Sequence, residues 1–415
     1  MCDRVVLLAS AAALLAVAGC RAQAAAPPSA VCGAPKGSSS AAQSLASDDT
    51  AFAVALYGPA ATAVGAGQNV IISPYSVSAT MTMVDVGAAG ETDTQMQSVL
   101  HLPGNGATVA PAYAALACED ETDGSSEGNQ LSLANSVWGQ KGATFEPAFL
   151  SVLSSGYEAP LQQVDFMGDP GGATTTINQW VSEETQAEIP TLLQPGDVDA
   201  STRLVLVNAV YFKGAWATGF DPNMTSPQPF TLSDGTQVSV PTMSGSVSFA
   251  SGHPSSALSV YELPYKGGSL AMDFLVPEGL LSTLESTLTP ALLSSAIASL
   301  GSSFSQPITV PKFSFGDRVR LDPVLAAMGM PDVFNSQSAN LSGIDGARDL
   351  YVSFVVQQAL VEVDEEGTVA AAATAAGVAT TSFEESIQIN RPFLFLIRDV
   401  KSGSLLFIGR VEDPR

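Results

Sequence analysis

The chain has 415 residues, of which 46% are hydrophobic, so it can bury a sizeable core and is not expected to be disordered as a whole. Acidic residues outnumber basic ones by 40 to 16, which gives a formal net charge of −24 at pH 7. Such a surface repels phosphate backbones. The composition therefore argues against nucleic acids and heparin-like polyanions as partners.

The N-terminus has the pattern of an export signal. Arg4 precedes an apolar stretch, residues 5–18, that is too short to span a bilayer comfortably. The stretch ends in Val-Ala-Gly-Cys, which resembles a bacterial lipobox and implies that Cys20 is lipidated and becomes the mature N-terminus. An ordinary signal peptide with a cysteine near its cut site is the alternative.

A flexible tether is predicted between this signal and the folded domain. Residues 20–45 are rich in Ala, Pro, Ser and Gly, a composition typical of linkers. The predicted organisation is therefore a signal peptide over 1–19, a lipidated tether over 20–45 and one domain over 46–415. The protein is expected to be secreted and to remain attached to the cell envelope, at the outer membrane or the cell surface.

Two of the four cysteines remain after removal of the signal and lipidation of Cys20. Cys32 lies in the tether, and Cys118 lies in a polar segment predicted to be a loop. Export makes a disulfide between them chemically possible, and two free thiols are the alternative.

Helical and strand patterns then alternate along the chain. Apolar residues recur at helical spacing in four stretches, which predicts helices at 51–57, 76–87, around 177–181, and 289–300. Pro290 stands at the first-turn position of the last one. The nearly unbroken apolar run 204–212 predicts a central strand buried on both faces. Further strands are predicted at 270–276, 393–397 and 405–411, the last two joined by a hairpin turn at 399–403. Because helices come mainly first and strands mainly later, the predicted class is α+β.

One segment near the C-terminus differs from the rest. From Thr368 to Ser382 it has no charge, no aromatic ring and almost no bulky side chain. Such a segment is suited to sliding into a tight slot between two strands. An alanine-rich helix is the alternative, because Ala has the highest helix propensity.

Motifs for catalysis are lacking in the sequence. The chain has two histidines, His101 and His253, both beside Pro or Gly or within a loop-like stretch, and it has no HExxH, paired CxxC, EF-hand loop or Walker lysine motif. A Ser-His-Asp hydrolase would need one of these histidines as its base, and no GxSxG elbow accompanies them. The sequence therefore predicts a protein that is not an enzyme, with no metal and no cofactor.

Residues 365–374 resemble the reactive-loop hinge of the serpin family, whose pattern is roughly E-E-G-T-E-A-A-A-A-T, with Val369 in place of the usual acidic residue. Other serpin-like stretches follow in the family's order: 69–78, 133–135, 164–166, 177–181, 208–216, 311–313, 328–330, 341–344 and 391–395. The similarity covers roughly residues 46 to 415. It implies an α+β serpin fold with three β-sheets, eight or nine helices and an exposed reactive-centre loop.

The resemblance also implies a function and its residues. The protein would be a suicide-substrate inhibitor of serine endopeptidases that traps its target by inserting the cleaved loop into the main sheet. The implied hinge comprises Glu365, Glu366, Gly367, Thr368, Ala370, Ala371, Ala372, Ala373 and Thr374. Its inward-facing residues after insertion would be Thr368, Ala370, Ala372 and Thr374.

Family spacing places the reactive bond between Thr381 and Ser382, with Val378 and Phe383 as alternative registers. A small β-branched residue before the cut implies an elastase-like or subtilisin-like target protease. The expected partner is thus a target protease. No nucleic-acid partner is expected, contact with a membrane is expected only through the lipid anchor, and the protein is expected to be a monomer.

Two control points are implied by the same resemblance. The breach, where insertion begins, would comprise Trp216, Lys312 and Glu365, with a salt bridge between the last two. The shutter, where the strands part, would comprise Ser73, Pro74, Ser76, Asn208 and Gln357. Because the family usually has a histidine where Gln357 stands, the gating energy and any pH response are open. A non-inhibitory serpin acting as a binding or carrier protein is the alternative function.

Overall fold

The computed structural model describes residues 40–157, 159, 161–368 and 386–415. The chain divides into two units, Met1–Gly33 and Ala34–Arg415, and the first lies wholly outside the described residues. Among the described residues, no helix combines the length and the apolar character needed to cross a bilayer.

Ten α-helices lie in the described part of the chain, together with two 3₁₀ turns at Pro222–Met224 and Asp332–Phe334. The helices are α1 (Ser40–Val64), α2 (Pro74–Asp85), α3 (Glu91–Leu100), α4 (Gly106–Gly124), α5 (Pro147–Gly156), α6 (Pro170–Glu184), α7 (Leu281–Ser286), α8 (Pro290–Ala298), α9 (Asp322–Met328) and α10 (Ser342–Asp345).

Fifteen strands accompany them in the same residues. They are β1 (Val70–Ile72), β2 (Gln130–Gln140), β3 (Gln162–Val164), β4 (Leu204–Ala215), β5 (Ser226–Thr231), β6 (Gln237–Ser255), β7 (Leu258–Pro264), β8 (Leu270–Pro277), β9 (Phe304–Pro311), β10 (Phe313–Arg320), β11 (Val352–Val363), β12 (Gly367–Thr368), β13 (Ile387–Gln388), β14 (Phe393–Asp399) and β15 (Leu405–Val411).

The strands form two hydrogen-bonded networks. One is a six-stranded sheet in the order β10-β11-β12-β4-β2-β3, which we call the main sheet. The other follows the order β1-β15-β14-β8-β7-β6-β9-β13, with β5 paired to β6. The long strand β6 runs through both parts of this second network, so two of the three implied sheets are continuous here.

Strand β4 is the centre of the main sheet, as its apolar sequence predicted. Every residue from Leu204 to Phe212 is buried. Its side chains alternate between the two faces of the sheet: Val205 and Val207 pack with α6 on one face, whereas Val210 and Phe212 pack towards the second network on the other. Burial on both faces accounts for the lack of polar alternation in this run.

The α+β class and the predicted strands are confirmed, and two local predictions are wrong. Helix α1 begins at Ser40, inside the predicted tether, because Ala42, Leu45 and Ala46 are buried at helical spacing ahead of the predicted start. Cys118 lies in helix α4 and not in a loop, because Tyr113, Leu116 and Asp120 form a buried helical stripe through the acidic sequence.

Candidate functional site

The chain turns sharply at the end of β11 and enters the main sheet. Residues Glu365 and Glu366 form a two-residue turn, in which the Asp364 N–H donates to the Gly367 carbonyl at 2.8 Å. The turn leads into β12, which is antiparallel both to β11, with Val363 opposite Thr368, and to β4, with Thr368 opposite Gly214. Gly367 and Thr368 of the hinge therefore already lie between the two central strands.

Gly367 is required for this entry. Its φ is +154°, and a Cβ at this position would overlap the backbone of Gly214 and Ala215. Gly214 is equally constrained, because a Cβ there would crowd the rings of Phe212 and Tyr265. The absence of a side chain at both Gly367 and Gly214 leaves the space that the hinge occupies between the strands.

The three predicted breach residues meet at this turn. Lys312 Nζ lies 2.6 Å from Glu365 Oε2, and the Thr225 hydroxyl donates to Glu365 Oε1 at 2.6 Å. Burial alone would raise the pKa of Glu365, but the hydrogen bonds from Lys312 and Thr225 lower it below its ordinary value. The Trp216 indole donates to the Asp364 carbonyl at 3.0 Å. Because Lys312 is one-third exposed, the ion pair contributes about 1 kcal/mol or less.

Tyr265 completes this cluster, and sequence reasoning missed it. Its ring is buried and stacked on Trp216 with a centroid distance of 4.8 Å, and it meets the Phe212 ring edge-to-face with a centroid distance of 4.9 Å. Its hydroxyl lies 2.7 Å from the Thr368 hydroxyl, and both residues are fully buried. Nothing in the sequence around Tyr265 separates it from the other tyrosines. It is found only through its contact with the hinge.

The predicted shutter residues also come together, below the hinge. Pro74 opens α2, and the Ser73 hydroxyl caps it by accepting from the Ser76 N–H at 3.4 Å. Gln357 of β11 accepts from the Ser73 N–H and donates to the Ser73 carbonyl, both at 2.9 Å. Gln357 is opposite Asn208 of β4 in the sheet. The amide therefore ties the start of α2 to the seam between β4 and β11.

Asn208 and Ser76 leave unused hydrogen-bonding capacity at the same seam. The Asn208 side chain donates to the Thr80 hydroxyl at 2.5 Å. Its Oδ1 and the Ser76 Oγ are buried and make no hydrogen bond to any described residue.

Other predicted positions fall outside the described residues. These are Cys20, Cys32, the hinge residues Ala370, Ala371, Ala372, Ala373 and Thr374, and the reactive bond Thr381–Ser382. Cys118 is disulfide-bonded in the structure, and the other three cysteines all lie in the undescribed N-terminal residues. Pairing of Cys118 with Cys32 remains a prediction.

Comparison with known proteins agrees with this architecture. Residues 47–414 match the family model described as "Serpin (serine protease inhibitor)". The chain is 38% identical to the human leukocyte elastase inhibitor over 90% of this chain and all of that protein. It is 34% identical to an uncharacterised serpin-like protein of Methanosarcina acetivorans, over 84% of this chain and 82% of that protein.

Solved structures show the same likeness. Serpin48 of the insect Tenebrio molitor superposes with a TM-score of 0.79 at 28% identity, over 90% of this chain and 99% of that one. Uncleaved ovalbumin gives a TM-score of 0.78 at 27% identity, over 89% of this chain and all of the other. The family model matches nearly the whole chain, the relatives match it over most of their length, and the hinge enters the main sheet. This chain therefore belongs to the serpin family of serine protease inhibitors.

Proposed function

We propose that this protein inhibits serine endopeptidases as a suicide substrate, by inserting its cleaved reactive loop between β4 and β11. The observation that carries the proposal is the arrangement of these two strands. They pair directly and in parallel from Val352 to Leu360, while at their upper end Gly367 and Thr368 have already entered between them. Insertion can therefore begin at Gly367 and Thr368 and continue as the paired strands β4 and β11 separate.

The directions of the strands indicate that insertion of the loop lowers the free energy of the protein. Strands β4 and β11 are parallel, and β12 is antiparallel to both. Continuing β12 downward replaces one parallel ladder with two antiparallel ladders, which are slightly more stable per residue. Roughly ten added backbone hydrogen bonds at about 1 kcal/mol net each are comparable to the whole stability of a typical domain. The uncleaved protein is then held in its form kinetically.

The chemistry of the trap needs only the protease's own machinery. The protease serine Oγ attacks the Thr381 carbonyl carbon, an ester forms, and the Thr381–Ser382 peptide bond breaks. The serine proton is passed to the leaving nitrogen of Ser382 through the protease's base. Insertion of the loop drags the ester-linked protease along the sheet before water can hydrolyse the ester.

The target we propose is an elastase-like or subtilisin-like protease. Thr381 is small enough for a shallow specificity pocket, and the inhibitors of leukocyte elastase are relatives that match the full domain. We further propose a monomer, exported and held to the cell envelope through a lipid on Cys20, on the strength of the lipobox-like sequence.

The test is incubation with pancreatic elastase and with subtilisin, followed by denaturing electrophoresis and mass spectrometry of the loop. We expect an adduct of one inhibitor and one protease that survives boiling in detergent, together with release of a C-terminal peptide that begins at Ser382. Cleavage without an adduct with either protease would favour a binding or carrier serpin instead. Release of a peptide that begins at another residue would move the reactive bond to that register.

A further inference from the structure

The contact between Tyr265 and Thr368 links a fixed part of the protein to the moving part. Tyr265 is held on two sides, by the stacked Trp216 and by the edge of Phe212, and its N–H donates to the Leu270 carbonyl at 2.9 Å. Thr368 is the second residue of β12 and the last one described before the loop. A rigid hydroxyl therefore marks one position of the hinge.

The hydroxyl of Tyr265 depends on this partner. Burial raises its pKa far above the ordinary value, so the hydroxyl remains neutral and able to donate at physiological pH. Thr368 provides the only hydrogen bond that the described residues offer to this hydroxyl. A buried hydroxyl without a partner is costly, so departure of the hinge from the slot is penalised at this point.

We propose that Tyr265 is a positioning residue of the trapping reaction, and that its hydroxyl holds Thr368 in the slot so that insertion starts from a docked hinge. This inference rests on the proposed function. The physical argument is one of nucleation: the first contacts of an inserting strand are the hardest to form, because they order the chain before any ladder compensates. A hinge that is already docked has completed that step before the protease cuts.

Partitioning between trapping and hydrolysis is the property that this contact should control. After the loop is cut, insertion competes with hydrolysis of the ester. A slower start to insertion releases more free protease and cleaved inhibitor, without changing how fast the loop is first attacked. A merely structural role for Tyr265 would lower thermal stability and leave this ratio alone.

The experiment compares the full-length protein with Tyr265→Phe and Thr368→Val, each of which removes one hydroxyl and little volume. With elastase or subtilisin, we expect the number of inhibitor molecules consumed per protease trapped to rise about fivefold in each variant, the effect of one lost hydrogen bond. The rate of loop attack should stay within a factor of two. The double variant should be no worse than either single one, and Thr368→Ser should behave as wild type.

Tyr351→Phe is the matched control, because it removes a tyrosine hydroxyl bonded to the Ser201 carbonyl at the opposite end of β11. Unchanged trapping in Tyr265→Phe would overturn the inference. Faster loop attack with unchanged trapping would also overturn it, by showing that the contact restrains the loop.

A second measurement does not depend on trapping. Hydrogen exchange of the amides of Gly367 and Thr368 should be slow in the uncleaved wild-type protein and faster in Tyr265→Phe. Equal exchange in both would overturn the inference even if the wild-type protein traps no protease. If the wild-type protein is cleaved without trapping the protease, but its amides still exchange more slowly than those of Tyr265→Phe, the proposed function is wrong and the inference about Tyr265 stands.

Discussion

Gln357, like Val369, departs from the usual family pattern, and its side-chain amide makes two hydrogen bonds to the same backbone residue. It accepts from the N–H and donates to the carbonyl of Ser73, the cap of α2. An amide does not titrate, so the tie between α2 and the seam does not depend on pH at this position. The family resemblance left this point open, and the geometry shows that the amide satisfies the backbone that it faces.

Replacing Gln357 with Ala should destabilise the uncleaved protein. The Ser73 N–H would be left buried and unpaired beside a new cavity, at a cost of about 2–4 kcal/mol. Chemical denaturation of the uncleaved protein measures this loss. Gln358→Ala on the same strand is the matched control, since the Gln358 Oε1 is buried without a described partner and its removal should cost little. Equal losses in the two variants would contradict the assigned role of Gln357.

At the scale of the element, the two residues of β12 fix how the rest of the loop would enter. Thr368 is opposite Gly214 on one side and Val363 on the other. Continued in the same register, Ala370 would come between Phe212 and Val361, which are both buried, and Val369 would come between Lys213 and Glu362, which are both half-exposed. Thr374 would arrive between Asn208 and Gln357, beside the unpaired Asn208 Oδ1.

This register predicts a contrast between two neighbouring positions. Ala370→Glu would place an unpaired charge in the core, so it should convert the inhibitor into a substrate and raise the inhibitor consumed per trapped protease by roughly tenfold or more. Val369→Glu restores the acidic residue usual in the family and faces the half-exposed side, so it should trap as well as wild type. Similar trapping by both variants would show that the inserted strand has another register or does not form.

The breach could be predicted from the sequence only in part. Trp216, Lys312 and Glu365 stand within family motifs, and the structure brings them together. Tyr265 and Thr225 could not be predicted, because their roles come from contacts across 103 and 140 residues of sequence. Helix α4 was missed for a related reason: its acidic C-terminal half is polar in sequence, and its buried stripe is apparent only in three dimensions.

At the scale of the whole molecule, several carboxyl groups are buried in a strongly acidic protein. Burial raises the pKa of Asp49 to about 7, although the hydroxyls of Ser78 and Tyr113 both donate to its Oδ1. Burial and the nearby Asp93 raise the pKa of Asp85 to about 7. The folded protein therefore binds protons more tightly than the unfolded chain. These groups contribute stability that is fully present below about pH 4 and is lost as pH rises through 7.

The uncleaved protein should accordingly melt at a lower temperature at pH 8 than at pH 5.5. Asp49→Asn retains the acceptor for Ser78 and Tyr113 but has no proton to lose, so it should remove part of this difference, about 2 kcal/mol at most from this one site between these two pH values. Thermal unfolding at the two pH values gives the comparison. Glu91→Gln, at an exposed position, controls for the change in net charge. A wild-type protein that is more stable at pH 8 would contradict the prediction.

The central claim concerns the energies of two forms of one chain, and thermal unfolding before and after cleavage of the loop tests it most directly. If the loop is more stable inside the main sheet than outside it, protein cut at the Thr381–Ser382 bond should melt roughly 10 °C or more above the intact protein. The same cut should leave the two fragments associated. A melting temperature that is unchanged or lower after cleavage would contradict the account.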